Sequence, residues 1–157
     1  MGYDMTMIGD DSDEGYFRAN IWGMQILRGA MKAAGVLDVD HDNVEWPEVT
    51  REEGEDDDSY YERNDLACAD TRAFRSTDTS LVPIGKFCSN DGWHIVPEEC
   101  SLIADGLDKV LASGEEIFYR DSWENRTVGL GDSDREFVKK FADYCRRASE
   151  KDGFTVW

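Results

Sequence analysis

The most constraining feature of the sequence is a run of apolar residues at positions 16–34, YFRANIWGMQILRGAMKAA, which predicts a buried helix. One set of apolar side chains recurs at the spacing of a helical face: Phe17, Ile21, Met24, Leu27, Met31 and Ala34. The other side is apolar as well, through Trp22, Ile26, Ala30 and Ala33. A helix without a polar side is covered by other elements, so we expect this one at the centre of the fold. Gly23 and Gly29 predict a closely packed neighbour, because a glycine inside a helix costs up to about 1 kcal/mol relative to alanine.

Local signals in the second half of the chain place four further elements. A short strand over 93–96 follows the turn sequence SNDG, and a helix begins at Pro97, a residue that suits the first helical position. Ser133 and Glu136 form a capping-box pattern that predicts another helix, which ends near Gly153. The last four residues predict a strand that pairs with 93–96.

Weaker patterns complete the secondary structure. A shorter helix is predicted over 60–75, with an apolar stripe of Tyr61, Leu66, Ala69 and Ala73. Residues 76–87 look like an extended linker, and a strand is expected around 117–119. The sequence therefore predicts a single domain over 1–157 with an α+β, mainly helical fold. It contains three or four helices and a small antiparallel sheet with strands near 93–96 and 154–157.

The net charge of −18 is unevenly distributed along the chain. Residues 38–65 hold 13 acidic and 2 basic side chains, and residues 38–59 lack a sustained apolar period, which predicts an exposed acidic excursion. Such a field repels nucleic-acid phosphates and attracts a basic surface on another macromolecule. We therefore expect no direct nucleic-acid binding and a protein partner with a basic surface. The candidate partner-binding residues are Glu52, Glu53, Glu55, Asp56, Asp57 and Asp58.

Targeting signals and cysteines point to a cytoplasmic protein. The first 15 residues lack the basic and apolar regions of a secretory signal, and no apolar run approaches the length of a membrane span. We therefore expect no membrane association. The cysteines lie at positions 68, 88, 100 and 145 without a CxxC pair, which predicts buried free thiols.

Three aspartates at alternate positions, Asp38, Asp40 and Asp42, match the first ligands of an EF-hand calcium loop. A predicted helix precedes them, as that motif requires. The rest of the motif is missing, because Val49 stands where the bidentate glutamate belongs and Pro47 disturbs a following helix. A calcium site is thus a minor alternative to a solvated acidic loop.

The turn before the predicted strand offers an alternative site for a small molecule or nucleotide. Asn90, Asp91 and Trp93 combine polar groups with an aromatic face, as small-ligand pockets do. The simpler interpretation is a structural turn beside a core tryptophan.

The sequence contains no signature of catalysis. It has no nucleophile elbow, no phosphate-binding loop and no dinucleotide fingerprint. Cys88, His94 and Cys100 are spaced more widely than the ligands of zinc modules. We therefore expect a protein that is not an enzyme and that uses no cofactor.

Four segments resemble a family of small actinobacterial and actinobacteriophage proteins: GYDMT at 2–6, YFRANIWGM at 16–24, KFCSNDGWHIVPEEC at 86–100 and GFTVW at 153–157. The family pattern has Thr before the proline, whereas this chain has Val96, which cannot cap the helix that begins at Pro97. The resemblance implies no particular activity, but it favours a cytoplasmic accessory protein of the kind that phages encode. With the charge, it predicts a non-enzymatic protein that binds a basic surface on a host macromolecule, as an inhibitor or nucleic-acid mimic does.

Overall fold

A computed structural model of the protein describes residues 2–40 and 44–157 and shows an α+β fold. The helices within these residues are α1 (Ile21–Ala33), α2 (Asp57–Arg72), α3 (Pro97–Ala112) and α4 (Asp132–Ser149). The strands are β1 (Gly2–Met7), β2 (Tyr16–Asn20), β3 (Leu37–Asp38), β4 (Val82–Pro83), β5 (Trp93–Ile95), β6 (Phe118–Asp121), β7 (Arg126–Gly129) and β8 (Phe154–Val156). The predicted class, mainly helical with a small antiparallel sheet, is confirmed.

The main sheet has four antiparallel strands in the order β2-β1-β8-β5. Trp93 lies opposite Val156 in the β5–β8 pair, which confirms the predicted pairing of these two segments. Strands β1 and β2 are not anticipated by the local sequence patterns. Their place in the sheet is explained by burial, because Met5 and Met7 lie in the core while Thr6 between them is exposed.

Helix α1 begins later than the helix predicted over 16–34, because residues 16–20 form strand β2. The Asn20 side chain accepts a hydrogen bond from Gly23 N at 2.7 Å and so caps the helix at the end of that strand. The central position predicted for the helix is confirmed, since most of its residues are buried. The close neighbour expected at Gly29 is strand β6. A Cβ atom at this position would lie 2.6 Å from Phe118 O.

Helices α3 and α4 pack against each other and contribute much of the core. Helix α3 begins at Pro97 as predicted, and Glu99 accepts a hydrogen bond from Val96 N at 3.1 Å, which supplies half of a capping box without a capping side chain. Helix α4 begins at Asp132, because Asp134 Oδ2 accepts a hydrogen bond from Gly131 N at 3.0 Å. The capping box predicted from Ser133 and Glu136 is therefore wrong by two residues.

Residues 76–87 are more than the extended linker that their composition predicts. Strand β4 pairs in parallel with β3, and a 3₁₀ turn at Ile84–Phe87 follows it. Within this turn Lys86 is fully buried, and its Nζ donates to Glu99 Oε2 and to His94 O, both at 2.8 Å. A charged pair therefore lies inside the core, where no local sequence signal places one.

The helix predicted over 60–75 is present as α2, but its apolar stripe is not buried. Tyr61 and Leu66 are 63% and 79% exposed. Within α2, all of which is described, Cys68 alone is buried. Helix α2 therefore lies on the surface and is not part of the core.

Candidate functional site

The candidate site is the acidic segment, residues 44–72, which consists of an irregular stretch followed by helix α2. Every acidic side chain of this segment except Glu55 is exposed. The exposure expected for the excursion over 38–59 is thus observed for most of its acids. The end of the excursion differs from the expectation, since Asp57 and Asp58 form the first turn of a helix.

Glu55 attaches the irregular stretch to helix α2. Its carboxylate accepts hydrogen bonds from Arg63 Nε at 2.9 Å and from Arg63 Nη2 at 2.8 Å. It also accepts one from Glu52 N at 3.0 Å, while Arg63 Nη2 donates to Thr50 O at 2.9 Å. The hydrogen bonds from Arg63 lower the pKa of Glu55 to about 2, because they favour the ionised carboxylate.

We expect Glu55 to titrate near pH 2 in the folded protein, compared with an ordinary pKa of 4.5. Because the folded-state pKa is the lower one, the contribution of Glu55 to stability is complete above about pH 4.5 and is lost as the pH falls towards 2. Carboxyl-detected NMR measures this pKa. It should return towards 4.5 in Arg63→Gln and stay well below 4.5 in Arg51→Gln. An unchanged pKa in Arg63→Gln would contradict the assignment.

The other predicted partner-binding residues divide into two groups. Asp56 caps helix α2 by accepting a hydrogen bond from Ser59 N at 2.8 Å, and Asp57 forms an ion pair with Arg51 at 2.7 Å. Glu52, Glu53 and Asp58 are exposed, and they form no ion pair with any residue in the described ranges. Of the six predicted acids, Glu55, Asp56 and Asp57 therefore hold the segment together, and the other three stay available for a partner.

The outer face of α2 combines carboxylates with an exposed apolar side chain. Leu66 lies one helical turn after Glu62 and one turn before Asp70, and Asp58 lies one further turn towards the start of the helix. All four residues, which we call the Leu66 face, are exposed. Asp58, Glu62 and Asp70 have no ion-pair partner among the described residues. The sequence feature that indicates this face is a leucine with an acid four residues before it and another four residues after it.

The inner face of α2 fastens the helix to the body of the protein. Arg72 Nε donates a hydrogen bond to Asp91 O at 3.1 Å, and the Arg72 guanidinium lies 5.3 Å from the centre of the Trp157 ring. Cys68 is buried on the same face. The helix is therefore attached through the side that carries Cys68 and Arg72, which leaves the Leu66 face open.

A cavity of about 420 Å³ lies between α2 and the turn that precedes β5, and both Asn90 and Asp91 line it. Their side chains already have partners. Asn90 Nδ2 donates to Gly2 O at 2.8 Å, and Asp91 Oδ2 accepts from Ser89 Oγ at 2.5 Å. The Asn90 contact attaches strand β1 to the turn and the Asp91 contact lies within the turn, so both favour a structural role for these residues.

Trp93 does not line this cavity. It is 5% exposed, and its indole Nε1 donates to Ser89 Oγ at 2.9 Å. Its ring packs between Trp46 and Phe74, with ring centres 5.1 Å and 5.6 Å away. The structure thus brings Asn90 and Asp91 together at a cavity but places Trp93 in the core.

Two residues of the calcium alternative, Asp38 and Asp40, lie at the end of strand β3. Asp38 accepts hydrogen bonds from Ser76 Oγ and, at 3.2 Å, from Asp40 N, whereas Asp42 lies outside the described residues. The next helix begins only at Asp57, although an EF-hand needs one directly after its loop. Within 2–40 and 44–157, no group of three His, Cys, Asp or Glu side chains is placed to hold a metal ion. The described geometry therefore gives the calcium alternative no support.

The cysteines are free, and all except Cys88 are buried. Burial raises the pKa of the Cys100 thiol to about 12, which makes it a poor nucleophile at neutral pH. None of the helices in the described part of the chain combines the length and apolar character needed to cross a membrane.

Comparisons of the chain with protein-family models, with curated proteins and with solved structures found no match. The acidic segment, with its exposed carboxylates and the contacts that fix helix α2, is the feature of the molecule that points to a function.

Proposed function

We propose that the protein is a non-enzymatic accessory protein whose acidic segment docks onto a basic surface of another protein. The Leu66 face of α2 carries this proposal. It is an exposed leucine bordered by acids that have no ion-pair partner among the described residues. Such a surface complements a shallow apolar pocket with lysine and arginine side chains around it.

The two kinds of side chain on this face have different effects on binding. An apolar group that becomes fully desolvated at the centre of an interface contributes most of the affinity. Carboxylates at the rim contribute mainly to the rate of association and to the choice of a basic partner, and salt screens them. The Leu66 face therefore predicts a partner whose binding weakens with salt but does not vanish.

The proposed contact surface extends further along the chain than the acids that were predicted from the sequence. Glu52, Glu53 and Asp58 belong to the proposed surface, together with Glu62 and Asp70. Glu55, Asp56 and Asp57 support it indirectly, because they fix the start of the helix that displays Leu66.

A cytoplasmic location and a role among phage-encoded accessory proteins form part of the proposal. Both rest on the resemblance to small actinobacterial and actinobacteriophage proteins. The chemistry of the surface suits a basic host protein, such as one that binds DNA, because the acids then stand in place of phosphates.

The test uses the whole 157-residue chain as bait in an actinobacterial lysate, followed by affinity measurements with the purified partner. We expect the triple variant Asp58→Asn, Glu62→Gln, Asp70→Asn to bind at least about tenfold more weakly at about 50 mM salt, mainly through slower association. Leu66→Ser should weaken binding at least about fivefold at low and high salt alike, mainly through faster dissociation.

The matched control is the triple variant Glu115→Gln, Glu116→Gln, Glu136→Gln, which removes the same number of exposed acids elsewhere. It should bind as the unchanged protein does. Equal weakening by both triple variants would show that total charge, and not the Leu66 face, determines binding. The proposed function would be refuted if the recovered partners bound Leu66→Ser and the α2 triple variant as tightly as the unchanged protein.

A further inference from the structure

A cleft with positively charged walls lies between helix α1 and the hairpin formed by β6 and β7. Its volume is about 380 Å³, which lies within the range of small-molecule sites. Arg28 and Lys32 contribute from α1, and Arg120 contributes from β6. No acidic side chain of the described residues lines it. This is a notable composition for a protein with a net charge of −18.

The walls of the cleft are held by specific contacts. Gln25 Nε2 donates to Ser122 Oγ at 2.7 Å, and Ser122 N donates back to Gln25 Oε1 at 3.2 Å. Gly29 lets the hairpin approach, because a Cβ atom there would lie 2.7 Å from the Cβ of Tyr119. The cleft is therefore built into the fold.

The three cations have no ionic partner among the described residues. Arg28 Nη1 donates to Phe87 O at 2.7 Å, which orients the guanidinium, and Arg120 donates to the Asn125 side chain. Lys32 is exposed, and its ammonium group donates no hydrogen bond to the described residues. Most other cations of the chain lie in ion pairs, so three cations together without one leave room for an anionic ligand.

The nearest acids on the hairpin point elsewhere. Asp121 is buried, and its Oδ1 accepts hydrogen bonds from Trp123 N at 2.9 Å and from Glu124 N at 3.3 Å. Glu124 forms an ion pair with Arg126. The positive charge of the cleft is therefore not cancelled by the carboxylates of its own hairpin.

We propose that this cleft binds a small organic phosphate of about nucleotide size. Its phosphate groups would lie among Arg28, Lys32 and Arg120, since guanidinium and ammonium groups are the usual phosphate ligands in proteins. Phe118 lines the cleft and is 49% exposed, and we place the organic part of the ligand against this side chain. This site is separate from the Leu66 face and does not depend on it.

The charge of the whole protein favours a small ligand over a nucleic-acid strand. A strand would extend beyond the cleft into the field of a chain with a net charge of −18, which repels further phosphates. A mono- or diphosphate confines its charge to the cleft.

The test is isothermal titration of the whole 157-residue chain at low ionic strength with ADP, pyrophosphate and adenosine. We expect saturable binding of ADP with one site per chain, weaker binding of pyrophosphate, and adenosine at least about tenfold weaker than ADP. Lys32→Gln and Arg120→Gln should each weaken ADP binding about tenfold.

Lys109→Gln and Lys140→Gln serve as controls, because both lysines are exposed and form no ion pair with the described residues. They should change the affinity for ADP less than twofold, and circular dichroism should show that all four variants are folded. The proposal is overturned if neither ADP nor pyrophosphate binds at millimolar concentration. It is also overturned if the control substitutions weaken ADP binding as much as Lys32→Gln and Arg120→Gln do, or if a single-stranded oligonucleotide binds more tightly than ADP.

Discussion

Replacing Glu99 by glutamine is expected to lower the free energy of unfolding by about 3–5 kcal/mol at pH 7. The substitution preserves the shape of the side chain but removes the charge that faces Lys86 Nζ at 2.8 Å. Both side chains are fully buried, so the ammonium group would remain in the core without an ionic partner. Urea unfolding of the variant and the unchanged protein measures the difference.

The pH dependence of this loss identifies its cause. Burial already lowers the pKa of Lys86 below its ordinary value of 10.5, and in the variant the pKa falls further because the carboxylate is gone. Between the folded-state pKa and 10.5, the unfolded state binds more protons, so stability rises with pH. The destabilisation caused by Glu99→Gln should therefore shrink with rising pH between the folded-state pKa of Lys86 in the variant and the higher one in the unchanged protein, by up to about 1.4 kcal/mol per pH unit.

The neighbouring residue supplies the matched control. Glu98 is 71% exposed in its side chain and lies 3.7 Å from Arg75, so Glu98→Gln should change the free energy of unfolding by less than about 0.5 kcal/mol. The double variant Lys86→Met, Glu99→Met should recover part of the loss, since it removes both fully buried charges but leaves Arg75 Nε, which lies 3.3 Å from Glu99 Oε1, without that carboxylate. Equal effects of the two single glutamine substitutions would contradict the assigned role of the pair.

The elements predicted correctly from sequence are those with their signals close together in the chain. The turn, the strand at Trp93 and the helix start at Pro97 follow one another within ten residues, and each has a local physical reason. The helical spacing of residues 16–34 hid strand β2, because the conformation of residues 16–20 is decided by pairing with β1, a separate segment earlier in the chain. The burial of Lys86 was not predictable from its local sequence for the same reason, since it depends on an ion pair with Glu99 in a different element.

The exposed side of α2 was not identifiable from the apolar pattern of the sequence. The apolar spacing of Leu66, Ala69 and Ala73 indicates that they share one side of a helix, but spacing does not tell whether another element covers that side. The acids around Leu66 were the better guide, because carboxylates without partners remain in water. The sequence gives no signal that the cations of the cleft lie together, because Lys32 and Arg120 come close only when the hairpin packs on α1.

Gly153→Ala is expected to lower the free energy of unfolding by about 3–5 kcal/mol through two separate effects. Gly153 has a φ of +81°, where an alanine costs about 1–2 kcal/mol. Its backbone also lies against β5, and a Cβ atom would stand 1.9 Å from Ile95 O, so the strand has to move. Because Gly153 O accepts a hydrogen bond from Ile8 N at 2.9 Å, that movement disturbs the chain on both sides of β8.

Gly9→Ala separates the two effects of the Gly153 substitution. Gly9 has the same φ of +81°, but an added Cβ atom meets nothing within 4 Å. Gly9→Ala should therefore cost only the conformational part, about 1–2 kcal/mol, in the same urea experiment. The excess loss in Gly153→Ala then measures the contact with Ile95. Equal losses in the two variants would mean that β8 can shift away from β5 at little cost, and that the close approach of Gly153 does not fix the position of β8 between β1 and β5.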